Sequence, residues 1–191
     1  CLILLAFAAI SSANNDDLSF PFTTENIQNW KFTSDQVMGG LSEGDASVDQ
    51  DGEKIFTRLV GNVSTDNNGG FIKLRTTTSL QDKPLMFKAI HDSHKNGGKL
   101  QGIRLNVRGN GEVYHIFIQT SIFYRLPYGF YIATFKTTPE WQTVEIPFNE
   151  FKIEGKKYSE FNANDIKTLG IVAYGRDFKA DVSVSQIDFY Y

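Results

Sequence analysis

Residues 100–108, LQGIRLNVR, place Ile103, Leu105 and Val107 on one side of the chain and Arg104, Asn106 and Arg108 on the other. A period of two is that of a β-strand with one buried and one solvated face. Gly109-Asn110-Gly111 then turns the chain into Val113 to Thr120, and the two runs read as a hairpin. The same grammar extends in both directions. Ala46 to Val48 and Lys54 to Val60 flank Asp49-Gln50-Asp51-Gly52, where Asp-Gly supplies the positive φ of a tight hairpin turn. Phe71 to Thr77 is entered through Asn67-Asn68-Gly69-Gly70, and Phe130 to Phe135, Trp141 to Ile146, Ile166 to Tyr174 and Val182 to Tyr190 follow. Helix is confined to short turns at Glu25 to Trp30 and Asn149 to Phe151, and Gln81 to Gly98 reads as irregular and polar. No regular alternation of strand and helix appears, which excludes a parallel α/β sheet. The expected fold is all-β, an antiparallel β-sandwich of the jelly-roll kind.

The composition agrees. In 191 residues, 41% are apolar and 14% aromatic, with 16 Phe, a bias toward strands. The length suits one domain. A net charge of −3 with scattered Lys and Arg lacks the clustered basic surface that nucleic acid requires. Lys152, Lys156 and Lys157, interrupted by Glu154, read as a solvated loop.

The chain begins at Cys1, and Leu2 to Ile10 is an uncharged apolar run followed by Ser11-Ser12-Ala13. That is the core and cleavage site of a secretory signal without its basic start, so residues 1–13 are expected to be a truncated signal peptide and 14–191 one exported domain. After cleavage no cysteine remains, and disulfides play no part. Asn62-Val63-Ser64 is a glycosylation sequon if the route is eukaryotic.

Several motifs look chemical. Gly40-Leu41-Ser42-Glu43-Gly44 matches a serine nucleophile elbow, but no helix pattern follows, so Ser42 is expected to brace a turn. His91 and His94 lack the further ligands of a zinc site, and Asp49, Asp51 and Glu53 fail the EF-hand spacing at Arg58. No metal and no cofactor is expected. Tyr124, Tyr128, Tyr131 and Trp141 could stack on sugars or anchor a protein partner where exposed.

Trp30, then Ser34-Asp35-Gln36-Val37-Met38-Gly39-Gly40-Leu41-Ser42, resembles the opening signature of the complex I intermediate-associated protein family, the thirty-kilodalton one. Gly61-Asn62-Val63-Ser64, Asn67-Asn68-Gly69-Gly70-Phe71, Gly102 to Tyr114, Trp141 to Phe148 and Ile166 to Ile171 continue the match across Leu18 to Tyr190. The resemblance implies a galactose-binding-like jelly roll without an established active site. It also implies a chaperone-like role, since mitochondrial members assist assembly of respiratory complex I. Gly39, Gly40, Gly69 and Gly70 permit backbone shapes closed to other residues, and Asp35, Ser42 and Asn68 can bond the groups left unpaired. The two loops are therefore expected to pack on each other, with Met38 and Phe71 buried.

Three functions follow. The first is a non-enzymatic binding or assembly module for a protein partner. The second is an exported carbohydrate-binding module whose face carries Arg104, Asn106, Arg108, His115, Gln119 and Tyr131, if alternation holds across the sheet. The third, least favoured, is a hydrolase using Ser42. The leader points outside the cell, and the family resemblance points to mitochondria.

Overall fold

Residues 17–76, 85–121, 129–153 and 161–191 are described by a computed structural model. The expected leader, Tyr124, Tyr128 and the lysines at 156 and 157 lie outside them. Along the chain the elements are β1 (Leu18–Pro21), β2 (Trp30–Ser34), β3 (Glu43–Asp51), β4 (Lys54–Val63), β5 (Phe71–Thr76), α1 (Leu85–Lys95), β6 (Gly102–Gly109), β7 (Val113–Thr120), β8 (Tyr131–Lys136), β9 (Gln142–Pro147), β10 (Lys152–Ile153), β11 (Ile166–Tyr174) and β12 (Phe178–Tyr190). Every strand pairing is antiparallel. The first sheet runs β3-β4-β12-β6-β9, and β1 also pairs with β12; the second runs β10-β8-β7-β11-β5-β2.

Alternation sets which side chains meet between the sheets. From the first come Leu59, Ile103, Leu105, Val107, Val184, Ile187 and Phe189; from the second come Ile72, Leu74, Tyr114, Ile116, Ile118, Leu169 and Ile171. Each fully buried aliphatic or aromatic side chain contributes about 1.5–3 kcal/mol. The register Asp51↔Lys54 leaves Gly52 and Glu53 as the β3–β4 turn, with Gly52 at φ 62°. A shift between Val184 and Gln186 marks a bulge at Ser185. It sits where β12 changes one partner, pairing with β4 up to Val184 and with β1 from Gln186.

Two expectations require correction. Gly109-Asn110-Gly111 does not close a hairpin: β6 pairs with β12 and β9, β7 with β11 and β8, so this turn carries the chain from one sheet to the other. The corner is held by side chains. Buried Tyr114 donates from its hydroxyl to Asn110 Oδ1 at 2.7 Å and accepts from the Asp181 N–H at 2.7 Å, while Asn110 Nδ2 donates to the Lys179 carbonyl at 2.7 Å. Burial pushes the Tyr114 phenol up to about 12.

The second correction concerns the stretch read as irregular, which contains α1. Met86 and Ile90, four residues apart, enter the core, while Lys88, His91, His94 and Lys95 are exposed or half-exposed. The helix ends at Gly97, φ 82°, whose N–H donates to the His94 carbonyl at 2.9 Å. Two deeply buried residues on a mostly polar surface leave too thin an apolar stripe to read as helical.

Candidate functional site

Two loops meet beside the ends of β2 and β5. After β2 the chain makes a 3₁₀ turn over Asp35–Met38, closed by Gly39 at φ 88°. The Asp35 carboxylate, fully buried, receives the N–H groups of Ser42 at 2.9 Å, Gly70 at 2.5 Å and Phe71 at 3.1 Å, together with the Ser42 hydroxyl. Ser42 Oγ in turn accepts from the Ser64 N–H at 3.0 Å. Burial pushes the Asp35 carboxyl up, but these four hydrogen bonds outweigh it and hold it below its ordinary value. Asn67 and Asn68 take left-handed backbone, φ 56° and 58°, and Gly70 φ 124°. Asn68 serves the loop by its backbone shape. A third loop joins them: the Gly175 N–H donates to the Gly70 carbonyl at 2.8 Å, and Asp177 accepts from the N–H and hydroxyl of Thr65, both at 2.7 Å.

The two glycine loops thus pack on each other through Asp35, but Met38 is not buried. Val37, Met38 and Leu41 are 72%, 59% and 53% exposed, and Phe71 is half-buried. The 3₁₀ turn directs Asp35 inward and the residues after it outward. Ser42 is fully buried, its hydroxyl is committed to Asp35, and β3 follows it. An elbow that exposes its serine before a helix has a different geometry.

The six residues of the candidate sugar face do not share one surface. Arg104, Asn106 and Arg108 stand on the outside of the first sheet; His115 and Gln119 stand on the outside of the second; Tyr131 points into the core at 3% exposure. Alternation holds along β6 and β7, but those strands belong to different sheets, and Tyr131 on β8 falls opposite inward Ile118.

On the first sheet, a groove of ≈ 610 Å³ is lined by Lys54, Arg104, Asn106, Thr143, Gln186 and Asp188 among others. Beyond it, the Phe56 and Trp141 rings lie 5.4 Å apart, with the Arg108 guanidinium 4.9 and 4.7 Å from their centres and Lys54 Nζ 4.5 Å from that of Trp141. Trp141 Nε1 is buried without a partner among the described residues. On the second sheet, Phe117 packs 5.2 Å from both Phe130 and Tyr174, beside His115. Burial pushes the His115 imidazole down against a backbone hydrogen bond to Val172. His91 and His94 lie on α1, and among the described residues no three metal-ligating side chains come together. Among them, too, no helix is long and apolar enough to cross a membrane.

Solved structures with this fold include the family 11 carbohydrate-binding module of the cellulosomal cellulase Lic26A-Cel5E of Clostridium thermocellum. It is 15% identical, with 92% of this chain and 94% of that one covered, at a TM-score of 0.64. The Clostridium thermocellum family 11 module in complex with a β-1,3-1,4-mixed-linked tetrasaccharide gives 16% identity, 90% and 95% coverage and a TM-score of 0.61. A family 30 module of the cellulase Cel9D-Cel44B of the same organism gives 14%, 84% and 90%, and 0.54. At these identities the likeness concerns the fold. The curated proteins give no match. The sequence model of Complex I intermediate-associated protein 30 matches residues 20–184, which span both sheets and the Asp35 corner, and the chain belongs to that family.

Proposed function

We propose that this chain is a non-catalytic binding module that engages a protein partner through the knuckle formed by Val37, Met38 and Leu41. The carrying observation is the contrast within eight residues. Asp35 and Ser42 are fully buried and anchored, while the three apolar side chains between them are the most exposed large hydrophobics among the described residues. Rigid backbone and exposed apolar side chains suit docking, because little conformational entropy is lost on contact. Family membership supports a part in assembling proteins. Within this reading the apolar run Leu2 to Ile10 serves export, with mitochondrial import as the alternative.

The test is a Val37→Asp/Met38→Asp double variant. Retained melting temperature with loss of the proteins that co-purify with the wild type supports the reading; unchanged co-purification removes it. A second reading, an exported carbohydrate-binding module, rests on the groove of the first sheet, where Arg104, Asn106, Thr143 and Gln186 offer convergent hydrogen-bonding groups. A neutral-glycan array without signal would end it.

A further inference from the structure

Arg58, Arg104, Arg108 and Arg176 each meet a carboxylate: Asp181, Asp17 and Glu145, Asp51, and Glu112. Arg75 meets none among the described residues. Its Nη1 donates one 3.4 Å bond to the adjacent Thr76 carbonyl. Arg75 lies on the outer face of the second sheet, on β5; Lys31 on β2 stands directly opposite, and Lys73 lies two residues along the strand. Like charges placed opposite each other destabilise a sheet. Lys73 is half-buried, and burial together with the Arg75 charge pushes its ammonium down. The outward positions of this face contain no Asp or Glu on β2, β5, β7, β8, β10 or β11. Among the described residues Lys31, Lys73 and Arg75 meet no carboxylate, a concentration of like charge that costs stability in the free chain and calls for an anion.

The surroundings narrow the anion's chemistry. Phe71, Phe117, Phe130 and Tyr174 are half-exposed on the same face, and Lys73 Nζ lies 4.6 Å from the Phe71 ring centre. Gly170, itself buried, sits between Phe117 and Arg75 on neighbouring strands and places no side chain between them. Half-exposed rings offer apolar faces for the C–H faces of sugar rings, and a guanidinium fork matches a carboxylate. The three clustered cations stand at the β5–β2 edge, while outward Lys136 and Lys152 lie at the opposite edge on β8 and β10, so the face lacks the continuous basic track that a phosphate backbone needs.

We propose that the outer face of the second sheet binds an acidic polysaccharide, with Arg75 and Lys31 holding a carboxylate and the Phe71, Phe117 and Phe130 rings receiving the sugar faces. This site is separate from the Val37–Leu41 knuckle and stands without it.

Titration calorimetry on the full chain tests the proposal with oligogalacturonate, its fully methyl-esterified form and a single-stranded oligonucleotide. The wild type should bind the acid form and lose at least about tenfold in affinity for the ester. Arg75→Gln and the exposed Lys31→Gln should each weaken acid binding several-fold with melting temperature held or raised. Arg58→Gln, on β4 of the first sheet and paired with Asp181, should leave it unchanged. Equal binding of acid and ester, no binding of the acid, preference for the oligonucleotide, or binding indifferent to Arg75 and Lys31 would each overturn it.

Discussion

Asp35 and Gly70 are 35 residues apart in sequence, and the Gly70 N–H donates to Asp35 Oδ2 at 2.5 Å. Through this bond and three others, one carboxylate ties the loop after β2 to the loop before β5. Replacing it orphans several buried donors at once. Asp35→Ala should cost about 3–5 kcal/mol, read by chemical denaturation. A loss under about 1 kcal/mol would show that the corner contributes little to stability.

The same carboxyl sets an acid limit. Its folded value lies below the ordinary 3.8. A group depressed on folding adds stability that is complete above the unfolded value and lost as pH falls through the folded one. Below about pH 4, wild-type stability should therefore decline more steeply than that of Asp35→Asn. Asp177 and Asp181 are also depressed, by hydrogen bonds from Thr65 and Arg58, but they titrate in both proteins and cancel in the comparison.

Glycines around Asp35 are required by space. A Cβ on Gly40 would stand 2.4 Å from Asp35 Cγ, and one on Gly69 2.5 Å from Asp35 Oδ2. Gly40→Ala should approach Asp35→Ala in its effect on melting temperature. Gly111→Ala, with open space and φ 86°, should cost only about 1 kcal/mol from backbone strain.

The residues that made the sandwich legible were those of β6 and β7, whose alternation is unchanged in the structure, and those of β11, an apolar run buried along most of its length. Alternation fixes a side chain's face but not its sheet. That is why Arg104 and His115 were placed together and lie on opposite outer faces. Asp35 and Ser42 were recognisable because buried loops need local acceptors. Met38 was misplaced because hydrophobicity alone does not reveal that a 3₁₀ turn faces outward. The helix α1 was hidden by its polar surface, and Asp177, exposed in a turn, gave no sign of holding Thr65.

Helix α1 docks through few side chains, so each matters. Ile90→Ala should cost about 2–4 kcal/mol, whereas His91→Ala, on the exposed side, should change stability by no more than about 0.5 kcal/mol. Equal effects would mean that the helix contributes no packing to the core.

The knuckle is the claim on which the functional account turns. A photoreactive amino acid placed at Met38, and in a parallel variant at exposed Asp51 at the end of β3, tests it most directly. The account predicts a discrete crosslinked partner from position 38 that is absent from position 51 and disappears when Val37 and Leu41 are made Asp. The same crosslinks from both positions, or none from position 38, would contradict it.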